Sequence, residues 1–176
     1  MNQLGHYETL EKMPKLSIDC VLYTCNVSCE NLGLISRSAD IFGANTIYYH
    51  QDDHAVNNKQ LIKLSRNSNV PVCFSNGIDS LLRLKNDAYQ IIALEITNKS
   101  IPLRFGSFQQ KTCLVIGNEK NGIPENILDI VDCSYHIEMT GGHISSLNVS
   151  IAASIALYEI TQYHLNNLSS TKPVFS

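Results

Sequence analysis

The chain has no tryptophan, only 7% of its residues are aromatic, and only 16% are charged. Charge of one sign is also scarce: 16 acidic side chains oppose 13 basic ones, for a net of −3. These values exclude a polyelectrolyte tail and a uniformly basic nucleic-acid coat, and the 44% hydrophobic share excludes a disordered chain. No basic-then-apolar export signal opens the sequence. The longest apolar-rich stretch, Leu147 to Ile160, is interrupted by Asn148, Ser150, Ser154 and Glu159. It is too short and too polar to span a bilayer, so a soluble cytoplasmic protein without membrane association is expected. Cys20, Cys25, Cys29, Cys73, Cys113 and Cys133 include no C-x-x-C pair, and the first three match no iron–sulfur spacing. They are expected to be reduced, small, buried apolar side chains, with no metal. Two nucleotide signatures are missing as well. No G-x-G-x-x-G occurs, and the two-glycine loop at Gly117 and Gly122 ends in Ile123-Pro124 instead of Lys-Ser/Thr. A P-loop NTPase and a nicotinamide enzyme are therefore unsupported.

What is present fits one domain. Residues 1–15 read as an N-terminal arm or short helix, 16–165 as the domain, and 166–176 as a tail. Short apolar runs, Ile18–Thr24, Thr46–Tyr49, Val70–Phe74, Gln90–Glu95, Thr112–Ile116 and Ser134–Ile137, read as strands. Several lack in/out alternation, as strands buried on both faces do. Between them Asn31–Phe42, Asn57–Arg66, Ile78–Lys85, Pro124–Ile130 and Ser146–Tyr163 read as helices. This alternation predicts an α/β fold with a mainly parallel six-stranded sheet flanked by helices. Ligands bind such sheets beyond the strands' carboxyl ends. Attention falls on the loops after Thr24, Glu95, Ile116 and Ile137.

The first of these loops opens a helix at Asn31, with Arg37 six residues on. Arg37 either reaches back toward the strand ends or pairs with Asp40 on the helix surface. The loop from Ile116 to Pro124 offers flexible backbone and one carboxylate, Glu119. In the last loop Gly141 and Gly142 permit close approach to a ligand, and Ser145 or Ser146 can cap the following helix. Asn148 is then a poor helix former just inside that helix, which capping does not explain. His143 is either a base or an ordinary loop histidine.

Three stretches in this order, Asn31-x-Gly33-x-x-x-Arg37-x-Ala39-x-x-Phe42-Gly43, Leu114-Val-Ile-Gly-Asn-Glu119-x-x-Gly122-Ile123, and Ile137-x-Met139 through Ser146-Leu-Asn-Val-Ser-Ile-Ala152, closely resemble the SpoU (TrmH-like) branch of the SPOUT methyltransferases. The likeness runs from about Ile18 to Tyr163. Ala93 to Ser100 is also similar to the tRNA guanosine 2′-O-methyltransferase subgroup. The resemblance implies the SPOUT fold, whose C-terminal segment forms a deep trefoil knot, here through loops 116–123 and 138–147. It implies methyl transfer from S-adenosylmethionine (AdoMet) to a ribose 2′-hydroxyl of RNA, tRNA before rRNA, by a homodimer. Family catalytic positions fall on Asn31, Arg37, Glu119, Ser146 and Asn148. Cofactor positions fall on Leu94, Glu95, Ile116, Gly117, Asn118, Gly122, Ile137, Met139, Gly142, Ser146 and Leu147. The alternatives are an rRNA ribose methyltransferase and a non-catalytic RNA- or AdoMet-binding module of the same fold.

AdoMet carries its own electrophile, so neither metal nor covalent nucleophile is needed. Arginine is almost never deprotonated, so Arg37 is expected to bind RNA phosphate and stabilise developing alkoxide charge. Lys59, Lys63 and Arg66 share one helix face, which is either an RNA track continuing from Arg37 or a solvated surface.

Overall fold

The computed structural model describes residues 16, 18–50, 63, 68–141 and 146–169. Strands β1 (Asp19–Cys25), β2 (Thr46–His50), β3 (Val72–Phe74), β4 (Gln90–Leu94), β5 (Ile101–Pro102), β6 (Lys111–Ile116) and β7 (Cys133–His136) form one sheet in the order β3-β2-β1-β6-β4-β7-β5. Every pairing is parallel. Helices α1 (Cys29–Ile41), α2 (Ile78–Asn86), α3 (Glu125–Leu128) and α4 (Val149–Ser169) cover it.

The continuous apolar runs follow from this covering. Along β1, Cys20 and Leu22 join one core cluster, whereas Val21, Tyr23 and Cys25 join another. β4 and β6 alternate in the same way, Ile92, Leu114 and Ile116 toward the first cluster and Ile91, Cys113 and Val115 toward the second. The first core is closed by Leu32 and Ile35 of α1 with Ala153, Ala156 and Leu157 of α4. The second is closed by Leu81 and Leu84 of α2 and Ile127 of α3. Both faces are buried, so both sets of side chains must be apolar.

The sheet has seven strands where six were expected. The addition, Ile101–Pro102, is a two-residue edge strand paired to β7, with Ile101 opposite Tyr135. Its brevity gives no periodicity, and its proline confines it to an edge. α4 begins at Val149, not at Ser146, and continues to Ser169, past the expected start of the tail. α3 is shorter than the expected 124–130. The arm at 1–15 and most of the helix expected at 57–66, with Lys59 and Arg66, lie outside the described residues, as do Gly142, His143 and Ser145.

Candidate functional site

The carboxyl ends of β4, β6 and β7 open into a cavity of about 510 Å³. One wall is the loop after β6, closed on itself by backbone contact. A Cβ on Gly117 would lie 2.1 Å from the carbonyl carbon of Gly122, so only glycine fits there. Gly122 itself has φ of +64°, in the left-handed region that favours glycine. Between them Asn118 Oδ1 accepts the N–H groups of Lys120 and Asn121 at 2.9 and 2.7 Å, folding the tip tightly. The loop after β4 forms a second wall. Glu95 joins the two: its Oε2 accepts from Ile123 N at 3.0 Å and its Oε1 from Ile96 N at 3.0 Å. The carboxylate thus fixes the spacing between walls that are remote in sequence.

Leu94, Glu95, Ile116, Gly117, Asn118, Gly122, Ile137, Met139, Ser146 and Leu147, all expected from sequence to touch the cofactor, line this one cavity. Gly142 lies outside the described residues. The sequence reading missed Thr97 and His136, which also line it. Their signal was position alone, just beyond β4 and at the end of β7.

At the cavity's edge three of the expected catalytic residues form a directed chain of hydrogen bonds. Ser28 caps α1 by accepting from Asn31 N at 3.2 Å, which holds Asn31 in the first helical turn. The Asn31 Nδ2 donates to Glu119 Oε1, and Asn31 Oδ1 accepts from Asn148 Nδ2 at 3.1 Å. Asn148 Oδ1 in turn accepts from Ser150 N at 2.9 Å and Ser150 Oγ at 2.6 Å. A carboxylate can only accept and a backbone N–H can only donate, so both ends set the orientation of the two amides between them. Glu119 is thereby held against the N-terminal turn of α1, where the helix dipole favours a negative charge.

Asn148 does not sit inside the helix. It caps α4, its side chain accepting from Ser150 and its carbonyl from Ile151 and Ala152. Neither Ser145 nor Ser146 was needed for that role. Ser146 is exposed and lines the cavity with Glu119.

Arg37 stands apart from the chain. Six residues turn a helix through about 600°, so Arg37 lies about 120° around α1 from Asn31 and cannot share its direction. It is half-buried, and among the described residues no ion pair joins it to Asp40 and no hydrogen bond joins it to Asn31, Glu119 or Asn148. Next to it the Oγ atoms of Ser38 and Ser154 lie 2.7 Å apart across the α1/α4 seam. Around that seam Leu34, Ile41, Ile151 and Tyr158 are exposed. Lys63 is exposed.

Cys20, Cys25 and Cys113 are buried as expected, whereas Cys73, on the short strand β3, is exposed. Burial pushes the Cys20 thiol up to about 12 and that of Cys113 well above its ordinary value. Neither provides a thiolate at neutral pH. No described helix is long and apolar enough to cross a membrane.

The sequence and the fold have counterparts among known proteins. The model of the SpoU rRNA Methylase family matches residues 21–158. A tRNA (guanosine(18)-2′-O)-methyltransferase of Aquifex aeolicus is 35% identical over 158 residues, 86% of this chain and 72% of that protein. The crystal structure of the A. aeolicus TrmH/SpoU tRNA modifying enzyme superposes with a TM-score of 0.75 at 30% identity, over 90% of this chain and 81% of that one. The SpoU methyltransferase AviRb of Streptomyces viridochromogenes, solved in complex with AdoMet, gives a TM-score of 0.74 at 25% identity. That likeness covers 89% of this chain and 62% of the other. On the extent of the family match and the identity to the A. aeolicus protein, the chain belongs to the SpoU rRNA Methylase family.

Proposed function

We propose that this chain is an AdoMet-dependent methyltransferase that modifies a ribose 2′-hydroxyl of tRNA. The observation that carries the proposal is the Asn148–Asn31–Glu119 chain at the edge of the cavity, in a family whose named relatives include tRNA 2′-O-methyltransferases. When bound, AdoMet supplies the electrophilic methyl group. The residues present suit it. The cavity's volume lies in the small-molecule range, its glycine-built wall brings backbone close, and Leu94, Ile116, Ile137 and Leu147 give it apolar surface.

The chain's own residues then have to orient one hydroxyl, hold its proton's path and exclude water. Orientation supplies on the order of 7–11 kcal/mol where geometry is right. Asn31 and Asn148 contribute by being unable to rotate, since each amide is bonded at both ends. Glu119 fixes the loop that walls the cavity, and Ser146 offers a hydroxyl beside it. Arg37 keeps its proton; it contacts RNA phosphate and stabilises the developing alkoxide. A homodimer formed through the exposed α1/α4 face buries Leu34, Ile41, Ile151 and Tyr158 and places Arg37 at the interface. That residues 117–123 line one cavity with Ile137, Met139, Ser146 and Leu147 suits the deep trefoil knot. The cytoplasm is the compartment where tRNA and AdoMet meet this protein.

The test is transfer of radiolabelled methyl from AdoMet to unmodified tRNA and rRNA transcripts, with nuclease mapping of the labelled ribose. Label in tRNA at a 2′-oxygen is expected. Label confined to rRNA would favour the rRNA alternative, and none in any RNA would leave a binding module.

A further inference from the structure

His136 ends β7, lines the cavity, and is held from behind by a turn that dictates which ring nitrogen carries its proton. The Ser100 hydroxyl lies 3.0 Å from His136 Nδ1. That same hydroxyl accepts from Thr97 N at 3.1 Å and donates to the Thr97 carbonyl at 3.0 Å. A hydroxyl has one proton and two acceptor sites. With its proton on the Thr97 carbonyl and one lone pair on Thr97 N–H, its remaining lone pair can only accept from His136 Nδ1–H. Turning the hydroxyl proton toward the ring instead would leave that lone pair empty and make one hydrogen bond fewer. The neutral ring therefore carries its proton on Nδ1 and keeps an unprotonated Nε2.

We infer that His136 is a positioning residue for the cofactor, its Nε2 accepting a hydrogen bond from a donor on the adenosyl moiety, an amine or a ribose hydroxyl, with Ser100 setting the ring's tautomer. This rests on the reading that the cavity holds AdoMet. In a cavity whose lining also includes Glu95, Thr97, Asn118, Glu119 and Ser146, an acceptor fixed at the end of β7 adds discrimination between adenosyl ligands with and without the matching donor.

Two measurements test it on the full chain. In the ligand-free protein, ¹⁵N-resolved NMR of His136 should report the Nδ1–H tautomer; a ring protonated on Nε2 would overturn the inference. Calorimetric binding of S-adenosylhomocysteine should weaken about tenfold in His136→Asn, which keeps an amide near Ser100 but has nothing at Nε2. His136→Gln, which restores an acceptor near the Nε2 position, should stay within about threefold of wild type, the span of a hydrogen bond kept in altered geometry. Wild-type affinity in His136→Asn would overturn the inference while leaving the cofactor reading intact. Absence of binding to the wild-type protein would overturn the cofactor reading, and this inference with it, whatever the tautomer.

Discussion

The two ends of α1 are built on opposite terms. Its first turn is fully engaged: Ser28 caps it, and Asn31, 9% exposed, is bonded through its side chain to both Glu119 and Asn148. Its later turns carry Leu34 at 40% exposure, Ile41 at 74%, and Arg37 without an intrachain ion pair among the described residues. A side chain bonded at both ends can orient others but cannot move to meet a substrate. A long cation on an open apolar face can. The contrast divides one helix into a part engaged within the chain and a part left open, which the proposed RNA and subunit contacts would use.

Arg37→Ala should give the largest effect and tests this division directly. Removing a charge that stabilises a transition state costs about 10²–10³-fold in turnover. The melting curve should barely change, as for surface substitutions that touch no internal network. A large fall in stability would show that Arg37 belongs to the fold after all. In Arg37→Lys, full activity with a pH–rate profile shifted to the lysine pKa would mean that this position acts as a base and not as an electrostatic stabiliser.

Asn31→Ala is the opposite case. It removes one donor and one acceptor, leaving Asn148 Nδ2 and a Glu119 oxygen without their partners. Stranded polar groups cost about 1–3 kcal/mol each when buried; Asn148 and Glu119 are exposed enough for water to recover part of this. Chemical denaturation should therefore register a loss near the lower end of that range together with reduced turnover. Unchanged stability would mean that the chain of amides does not brace the site. Smaller in monomer stability, but decisive for the open face, is Ile41→Glu. It puts a charge in the exposed α1 surface and should shift sedimentation toward monomer without lowering the melting temperature. A species of unchanged size would remove this face as the subunit contact.

The sequence carried much of the fold because burial on both faces makes the strand interiors mostly apolar, as in β1, β4 and β6, where Thr24 and Thr112 are buried polar exceptions. It could not carry β5, which is too short to have a period. The cavity was legible loop by loop, since each loop follows a strand whose end could be placed. How the loops join was not. Glu95 bridging Ile96 and Ile123, or Asn31 meeting partners 88 and 117 residues away, are contacts that no local pattern encodes. One local detail also went astray for a local reason: Asn148 looked misplaced inside a helix expected from Ser146, and that helix begins three residues later, at Val149.

α4 repeats the contrast of α1 along its own length, and there it can be read by pH. Its first residue follows Asn148, whose amide is satisfied on both sides, whereas His164 near its other end is 5% exposed and its Nε2 has no hydrogen-bond partner among the described residues. Burial disfavours the charged imidazolium and lowers the His164 pKa below its ordinary 6.5. The unfolded chain therefore takes up this proton at a higher pH than the folded chain does. Below about pH 6.5 the unfolded state binds more protons, so folding stability falls as pH falls until the folded pKa is passed. A single proton contributes a slope of at most about 1.4 kcal/mol per pH unit, the smallest of these effects and the most local. Denaturation of the wild type and of His164→Gln between pH 7.5 and 5 should differ in slope, the glutamine variant being flatter. Parallel curves would mean that the buried end of α4 admits the proton as readily as water does, and that it is no more closed than the open face of α1.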